Sequence, residues 1–391
     1  MKIFPLSAPY LKFKESIYVK ECIHSEWISS NGKFIEMFET ELCKYTQSKF
    51  VISCVNGTSA LHIALKILGV DSSCEVIVPS LTFIAPVNAV RYCNAAPIFM
   101  DSDHTHNLDL KKTIKFLEEE TIQKNNICYN IKTNKIIKAL IPVHVWGNAI
   151  ELDSLVIACK KRNIKIVEDS SESLGTFFNS GKFKSMHTGT IGDLGCISFN
   201  GNKIVTCGGG GAILTSKKKY AIEAKYLINQ AKENNIFYEH NKVGYNYRLQ
   251  NINAAIGYAQ MKKIDYLVKK KRNIFNNYKF LFKNNSYFTF FDPSNQRKSN
   301  KWLNVLKINK KITKQNFVNF LLHLNSQGIE VRPIWKLNHT QKKYIKFQSY
   351  NIKNAHEILR KNFLIPSSIH LNLNDQIKIA KKINKLITNY I

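Results

Sequence analysis

The chain has 391 residues, 44% hydrophobic and 22% charged, and its 57 Lys and Arg against 28 Asp and Glu leave a net charge of +29. This is the composition of a globular protein, not a disordered or fibrous one, and the length exceeds what one core usually serves, so two units are expected. No apolar run reaches the ~20 residues of a membrane span, the opening "MKIFPLSAPYLKFKESIYVKE" lacks the apolar stretch of a signal peptide, and nine scattered cysteines without a CxxC pair argue against zinc or a disulfide framework.

These features point to a cytoplasmic protein with reduced thiols, no metal and no membrane partner. The surplus charge raises the question of nucleic acid. Yet the basic residues are mostly Lys, dispersed along the chain, and their densest clusters, "KKKY" (217–220) and "VKKKRN" (268–273), are short. A solvated surface, with a basic cleft for a phosphorylated small molecule, accounts for them better than a nucleic-acid face.

In chain order, "FVISCVNG" (50–57) reads as a strand running into the helix "TSALHIALKILGV", with apolar residues at 61, 64, 65 and 68. "CEVIVPS" (74–80), "APIFMDSD" (96–103), "KALIPVHVWG" (138–147) and "IKIVEDSSE" (164–172) are further strands with polar ends, and the helix "ELDSLVIACKKRN" lies between the last two. The stretch 117–137, rich in Lys and Asn, reads as an inserted hairpin or loop. Such alternation predicts an α/β fold with a mostly parallel sheet between helices, whose ligands bind beyond the carboxyl ends of the strands. Residues 217–275 read as largely helical. From about 280 the pattern becomes "YFTFFDP", "KWLNVLKI", a helix near 314–327, "IEVRPIW" and a last helix, so the expected division is a large domain over 1–265 and a smaller α+β domain over 266–391.

Four features fall at these strand ends. Gly57, Thr58 and Ser59 stand where a strand turns into a helix, a place that suits a phosphate and equally suits an ordinary helix cap. "IVEDSSESLG" ends a strand with Glu168 and Asp169, which alternation sends to opposite faces. A buried Asp169 needs a cationic partner, either one of the many lysines or a protonated ring nitrogen. Ser198 and Lys203 flank the turn "SFNGNK", where an amine among apolar neighbours has a lowered pKa and becomes nucleophilic toward carbonyls. The run Gly208–Gly211 then permits close backbone approach. A cofactor with a phosphate, a pyridinium and an aldehyde uses all four, and pyridoxal 5′-phosphate is that cofactor.

The order GTSAL, TF (82–83), VEDSSESLG, GDLGCISFNGNK, GGGG and GYNYRL (244–249) resembles the DegT/DnrJ/EryC1/StrS sugar aminotransferases of fold type I, from "PLSAPYL" to "IPSSIH". The resemblance implies that Lys203 binds the cofactor aldehyde, Asp169 pairs with the ring nitrogen and Glu172 lies near the phenolic oxygen. It implies that Phe83 stacks on the ring and that Gly57, Thr58, Ser59 and the Ser198 hydroxyl hold the phosphate. Asn246 would reach the phosphate of a neighbouring subunit, which makes the expected assembly a homodimer with shared active sites. Arg332 and His339 lie in motifs that approach the substrate, while His144 is expected to pack near a strand end. Some relatives carry His in place of the lysine and act as dehydratases; Lys203 favours transamination here. "TCGGGG" stands where many relatives have "TGEGG", and Ser171 where many have alanine.

"CVNGTSALHIAL", "PVHVWGNA", "SGKFKSMHTGTIGDLGC" and the 117–137 insertion are similar to the legionaminic acid and bacillosamine subgroup. That likeness implies amino transfer from L-glutamate to carbon 4 of a UDP-linked 4-keto-6-deoxy-N-acetylhexosamine for a surface glycan. Enzymes making perosamine on a GDP carrier share most of these motifs and stand as the alternative. A catalytically silent sugar-nucleotide sensor is the alternative of another class.

Overall fold

The computed structural model describes residues 2–178, 180–234, 236–293 and 297–391. Its main sheet is built from β1 (Phe50–Cys54), β2 (Cys74–Pro79), β3 (Ala96–Met100), β4 (Thr121–Lys124), β5 (Ile127–Asn130), β6 (Ile136–Leu140), β7 (Lys165–Asp169), β9 (Leu194–Ser198) and β10 (Gly211–Thr215); β8 (Phe177–Phe178) lies outside it. The strand order is β1-β10-β9-β7-β6-β2-β3, with β10 antiparallel to both neighbours and every pairing from β9 to β3 parallel. The 117–137 insertion is a hairpin, β4 against β5, joined to the edge of β6 through Tyr129 and Ile136.

The central strands are mostly apolar because both faces are covered. Alternation divides each strand between two cores: Val76 and Val78 enter one and Ile77 the other, as do Phe99 against Ile98 and Met100, and Val167 against Ile166. The first core also takes Leu61, Ala64 and Leu65 of the helix Gly57–Ile67; the second takes Phe116 and Leu117 of Leu110–Glu119 and Leu155 of Asp153–Lys161.

Beyond the long helix Ile264–Leu281 come β11 (Phe288–Phe290), β12 (Arg297–Lys298), β13 (Asn304–Ile308), β14 (Arg332–Pro333), β15 (Ser349–Tyr350) and β16 (Asn362–Ile365). A four-stranded sheet, β11-β13-β16-β14, packs with the helices Lys314–Ser326 and Leu373–Ile387 around a third core that includes Phe320 and Phe363. β12 pairs with β8, and β15 returns to the edge of the main sheet, parallel to β3.

The 217–275 region is helical over Lys218–Ile228, Asn251–Met261 and onward from Ile264, but not between. There the chain doubles back, Asn246 bridging to Asn229, with Gly244 pressed so closely on Gln230 and Ala231 that a Cβ would fall 2.1 Å from their backbone atoms. All nine cysteines are free and eight are buried. Among the described residues no group of His, Cys, Asp and Glu is arranged to hold a metal ion, and no helix is long and apolar enough to cross a membrane.

Candidate active site

β1, β7 and β9 end side by side with the turn before β10, and a cavity of about 580 Å³ opens there. Gly57, Thr58, Phe83, Asp169, Glu172, Ser198, Lys203 and Arg332 all line it. One wall is a helix end. Asn56 caps the helix Gly57–Ile67 by accepting from Ser59 N at 2.8 Å, and its carbonyl accepts from Ala60 N. This leaves Gly57 and Thr58 to supply the free N–H groups of a positive helix terminus.

Gly57 is required here because a Cβ would lie 2.8 Å from Ser198 Cβ and 3.3 Å from Ser171 Oγ. Gly211 has a matching reason. A Cβ on it would lie 2.4 Å from Asn56 C and O, so only glycine lets β10 run beside the cap.

β7 sends its last two carboxylates apart. Glu168 points away from the cavity, accepting from Gly189, Ile191 and Gly192 N–H groups and from His144 Nε2 at 3.0 Å. His144 Nδ1 accepts from Ile150 N at 3.2 Å, which leaves Nε2 as the nitrogen that donates to Glu168. Asp169 faces the cavity, and its Oδ1 accepts from Ser171 N at 3.0 Å. Burial raises the Asp169 pKa, opposed by the Ser171 hydrogen bonds and the Lys203 charge. Among the described residues no cationic group lies within 4 Å of this carboxylate, so a protonated ring nitrogen fits the place.

Lys203 sits in the turn between β9 and β10, its side chain 14% exposed and its Nζ 3.9 Å from Glu172 Oε1. Burial lowers its pKa, while Glu172 and Asp169 hold it up. Burial likewise raises the Glu172 pKa, against the Lys203 charge and a hydrogen bond from Trp146 N to Oε2 at 2.8 Å. The amine also lies 3.8 Å from the centroid of the Trp302 ring. Trp302 in turn donates from Nε1 to Asn202 O at 2.7 Å, fixing the residue before the lysine.

Opposite, Phe83 is 55% exposed and meets Trp335 edge-on at 6.2 Å. Arg332, at the mouth, donates to Asn325 Oδ1 at 2.9 Å. Three expected residues do not line this chain's cavity. Ser59 lies behind the wall with its N–H engaged by Asn56, Asn246 is exposed on the 229–250 segment, and His339 bonds Ser80 Oγ at 2.6 Å beside β2. Trp302 and Trp146 are the contributors that pattern reading missed; nothing local in "KWLNVLKI" or "PVHVWG" marks them.

Comparison with known proteins gives the same picture. The family model described as "DegT/DnrJ/EryC1/StrS aminotransferase family" matches residues 9–384. A GDP-perosamine synthase of Escherichia coli O157:H7 is 34% identical over 391 residues, covering 100% of both chains. A UDP-4-amino-4,6-dideoxy-N-acetyl-beta-L-altrosamine transaminase of Campylobacter jejuni is 30% identical over 353 residues, 89% of this chain and 88% of its own. Among solved structures, Helicobacter pylori PseC, an aminotransferase involved in the biosynthesis of pseudoaminic acid, superposes with a TM-score of 0.86 at 25% identity over 100% of both chains.

Proposed function

The chain belongs to the DegT/DnrJ/EryC1/StrS aminotransferase family, and from that premise we propose that it moves an amino group from L-glutamate to carbon 4 of a nucleotide-linked 4-keto-6-deoxy sugar. It is a sugar-nucleotide aminotransferase and its cofactor is pyridoxal 5′-phosphate. The observation that carries the finer reading is the Lys203 amine, 3.9 Å from the Glu172 carboxylate in the same cavity as Asp169 and an open helix N-terminus.

Bound there, pyridoxal phosphate supplies an aldehyde that carries the amino group and a ring that withdraws electrons. Lys203 is the group that holds this aldehyde and, once released, moves the proton at the substrate carbon. Burial lowers its pKa and so favours the neutral amine that both tasks need. Asp169 keeps the ring nitrogen protonated. The N–H groups of Gly57 and Thr58, with the Ser198 hydroxyl, bind the phosphate, and Phe83 covers the ring. Arg332 meets the anionic sugar nucleotide.

Asn246 completes the site of a second copy. Its neighbours Ile236, Phe237, Tyr238 and Val243 are at least 69% exposed, an apolar patch of the kind a partner subunit covers. The sugar is a UDP-linked N-acetylhexosamine in the first reading and a GDP-linked hexose in the second, which the full-length likeness to the perosamine synthase favours.

With pyridoxal phosphate the purified protein gains a visible absorbance band that L-glutamate converts, while Lys203→Ala gains none and turns over no sugar. Activity retained in Lys203→Ala overturns the assignment. Turnover of UDP-linked against GDP-linked 4-keto-6-deoxy sugars decides the carrier. A protein that binds either sugar with a flat spectrum is a silent binder.

A further inference from the structure

Trp146 has φ 58° and ψ 15°, a left-handed backbone that a bulky residue adopts only when its surroundings impose it. It is 1% exposed, and its ring stacks on Trp335 at 4.2 Å and 28°. Its indole Nε1 donates to His106 Nδ1 at 3.2 Å. His106 is itself left-handed, φ 65°, 3% exposed, and stacked on Phe291 at 3.8 Å and 14°. The adjacent Asn107 staples the same turn, its Oδ1 accepting from Val145 N at 3.0 Å and its Nδ2 donating to Asn148 O at 3.2 Å.

Besides backing Trp335 in the cavity wall, this turn delivers the Trp146 N–H to Glu172 Oε2 at 2.8 Å. We propose that Trp146, locked by His106, is a positioning residue that holds the Glu172 carboxylate in the orientation facing Lys203. The hydrogen bond favours the ionised carboxylate, and the ionised carboxylate favours the Lys203 ammonium. Freeing Trp146 therefore makes Glu172 easier to protonate and leaves more of Lys203 as neutral amine. Among the described residues, the other charged group that faces this pair is Asp169. His106 faces Lys307 and His104, and burial foremost, then those two, push its pKa down to about 3, so it remains an acceptor at every pH the enzyme meets.

The proposal rests on Lys203 being the reacting amine, which the absorbance of the wild type tests separately. Its own test is made on cofactor-free protein. Trace labelling with acetic anhydride from pH 5 to 9, read by mass spectrometry at Lys203 against exposed Lys124, follows the neutral amine. His106→Phe keeps a stacking ring without the acceptor, and near pH 7 it labels about three- to tenfold more at Lys203 than the wild type. His106→Asn offers Oδ1 in place of Nδ1, tolerates the left-handed backbone, and returns the curve to that of the wild type. Trp146→Phe, without the indole donor, behaves as His106→Phe does and carries the test if that variant fails to fold. A wild-type curve in both Phe variants, or an Asn variant shifted as far as the Phe one, overturns the proposal.

Discussion

Lys271→Met tests the reasoning about buried amines at a site outside the reaction. Lys271, on the helix Ile264–Leu281, is 2% exposed, and its Nζ donates to Trp302 O at 2.8 Å and Ser367 O at 2.7 Å, with Ser7 Oγ at 3.5 Å. These acceptors are uncharged, and burial lowers the pKa to about 7, against about 10.4 in an unfolded chain. Between those values the unfolded chain binds more protons than the folded one, so this group makes stability rise with pH across the window. The buried ammonium costs about 4 to 5 kcal/mol below pH 6 and under about 1 kcal/mol at pH 10. The wild type therefore gains about 3 to 4 kcal/mol between pH 7 and 10 that Lys271→Met does not. The variant also leaves two carbonyls unpaired, about 1 to 3 kcal/mol each, but that penalty is the same at each pH and cancels in the comparison. Urea unfolding of both proteins at pH 7, 8, 9 and 10 measures the difference. Stability curves that run parallel refute the argument.

Gly57→Ala forces a methyl to 2.8 Å from Ser198 Cβ in the phosphate wall; overpacking of about 1 to 3 kcal/mol should weaken cofactor binding about tenfold or more, read by titration with pyridoxal phosphate, and an unchanged affinity contradicts the placement. Asp169→Asn keeps the cofactor bound but slows turnover by about a hundredfold or more, since a neutral amide does not hold the ring nitrogen protonated; a rate within a few-fold of wild type removes that role. Arg332→Ala raises KM for the sugar nucleotide about tenfold with kcat little changed, as expected for an exposed charge-assisted contact of about 1.4 kcal/mol; a fall in kcat alone places the arginine elsewhere.

What could be read from the sequence was what is encoded in neighbouring residues. The parallel strands followed from short β-branched runs, and the opposed directions of Glu168 and Asp169 followed from the two-residue period of a strand. The glycine run signalled close approach, and Gly211 against Asn56 is that approach. What escaped depends on distant pairings. The helices Glu15–His24 and Lys33–Thr46 lack a marked pattern at their starts, with no side-chain cap on either. β15 is two residues long and acquires meaning only beside β3. Trp302 reaches Lys203 from 99 positions further along the chain, and the hydrogen bond from its indole to Asn202 O has no counterpart in local sequence. The hydrogen bond from Ser59 N to the Asn56 side chain is likewise seen only in the structure, since the segment "NGTSAL" suits a helix cap and a phosphate site equally.

The charge of +29 raises a separate question, because a basic cleft was its expected use. Among the described residues, the ionisable side chains that line the cavity are Lys203, Arg332 and Lys336 on the positive side and Asp169 and Glu172 on the negative side, three minus two. The surplus is therefore not concentrated among the groups that would touch an anionic substrate. A protein can still draw such a substrate through its summed field, which acts over about 10 Å at 0.1 M salt. On this reading affinity within the site rests on few contacts, whereas the rate of encounter rests on the whole surface. The two contributions separate by their response to salt: the direct contacts persist as ionic strength rises and the long-range attraction fades.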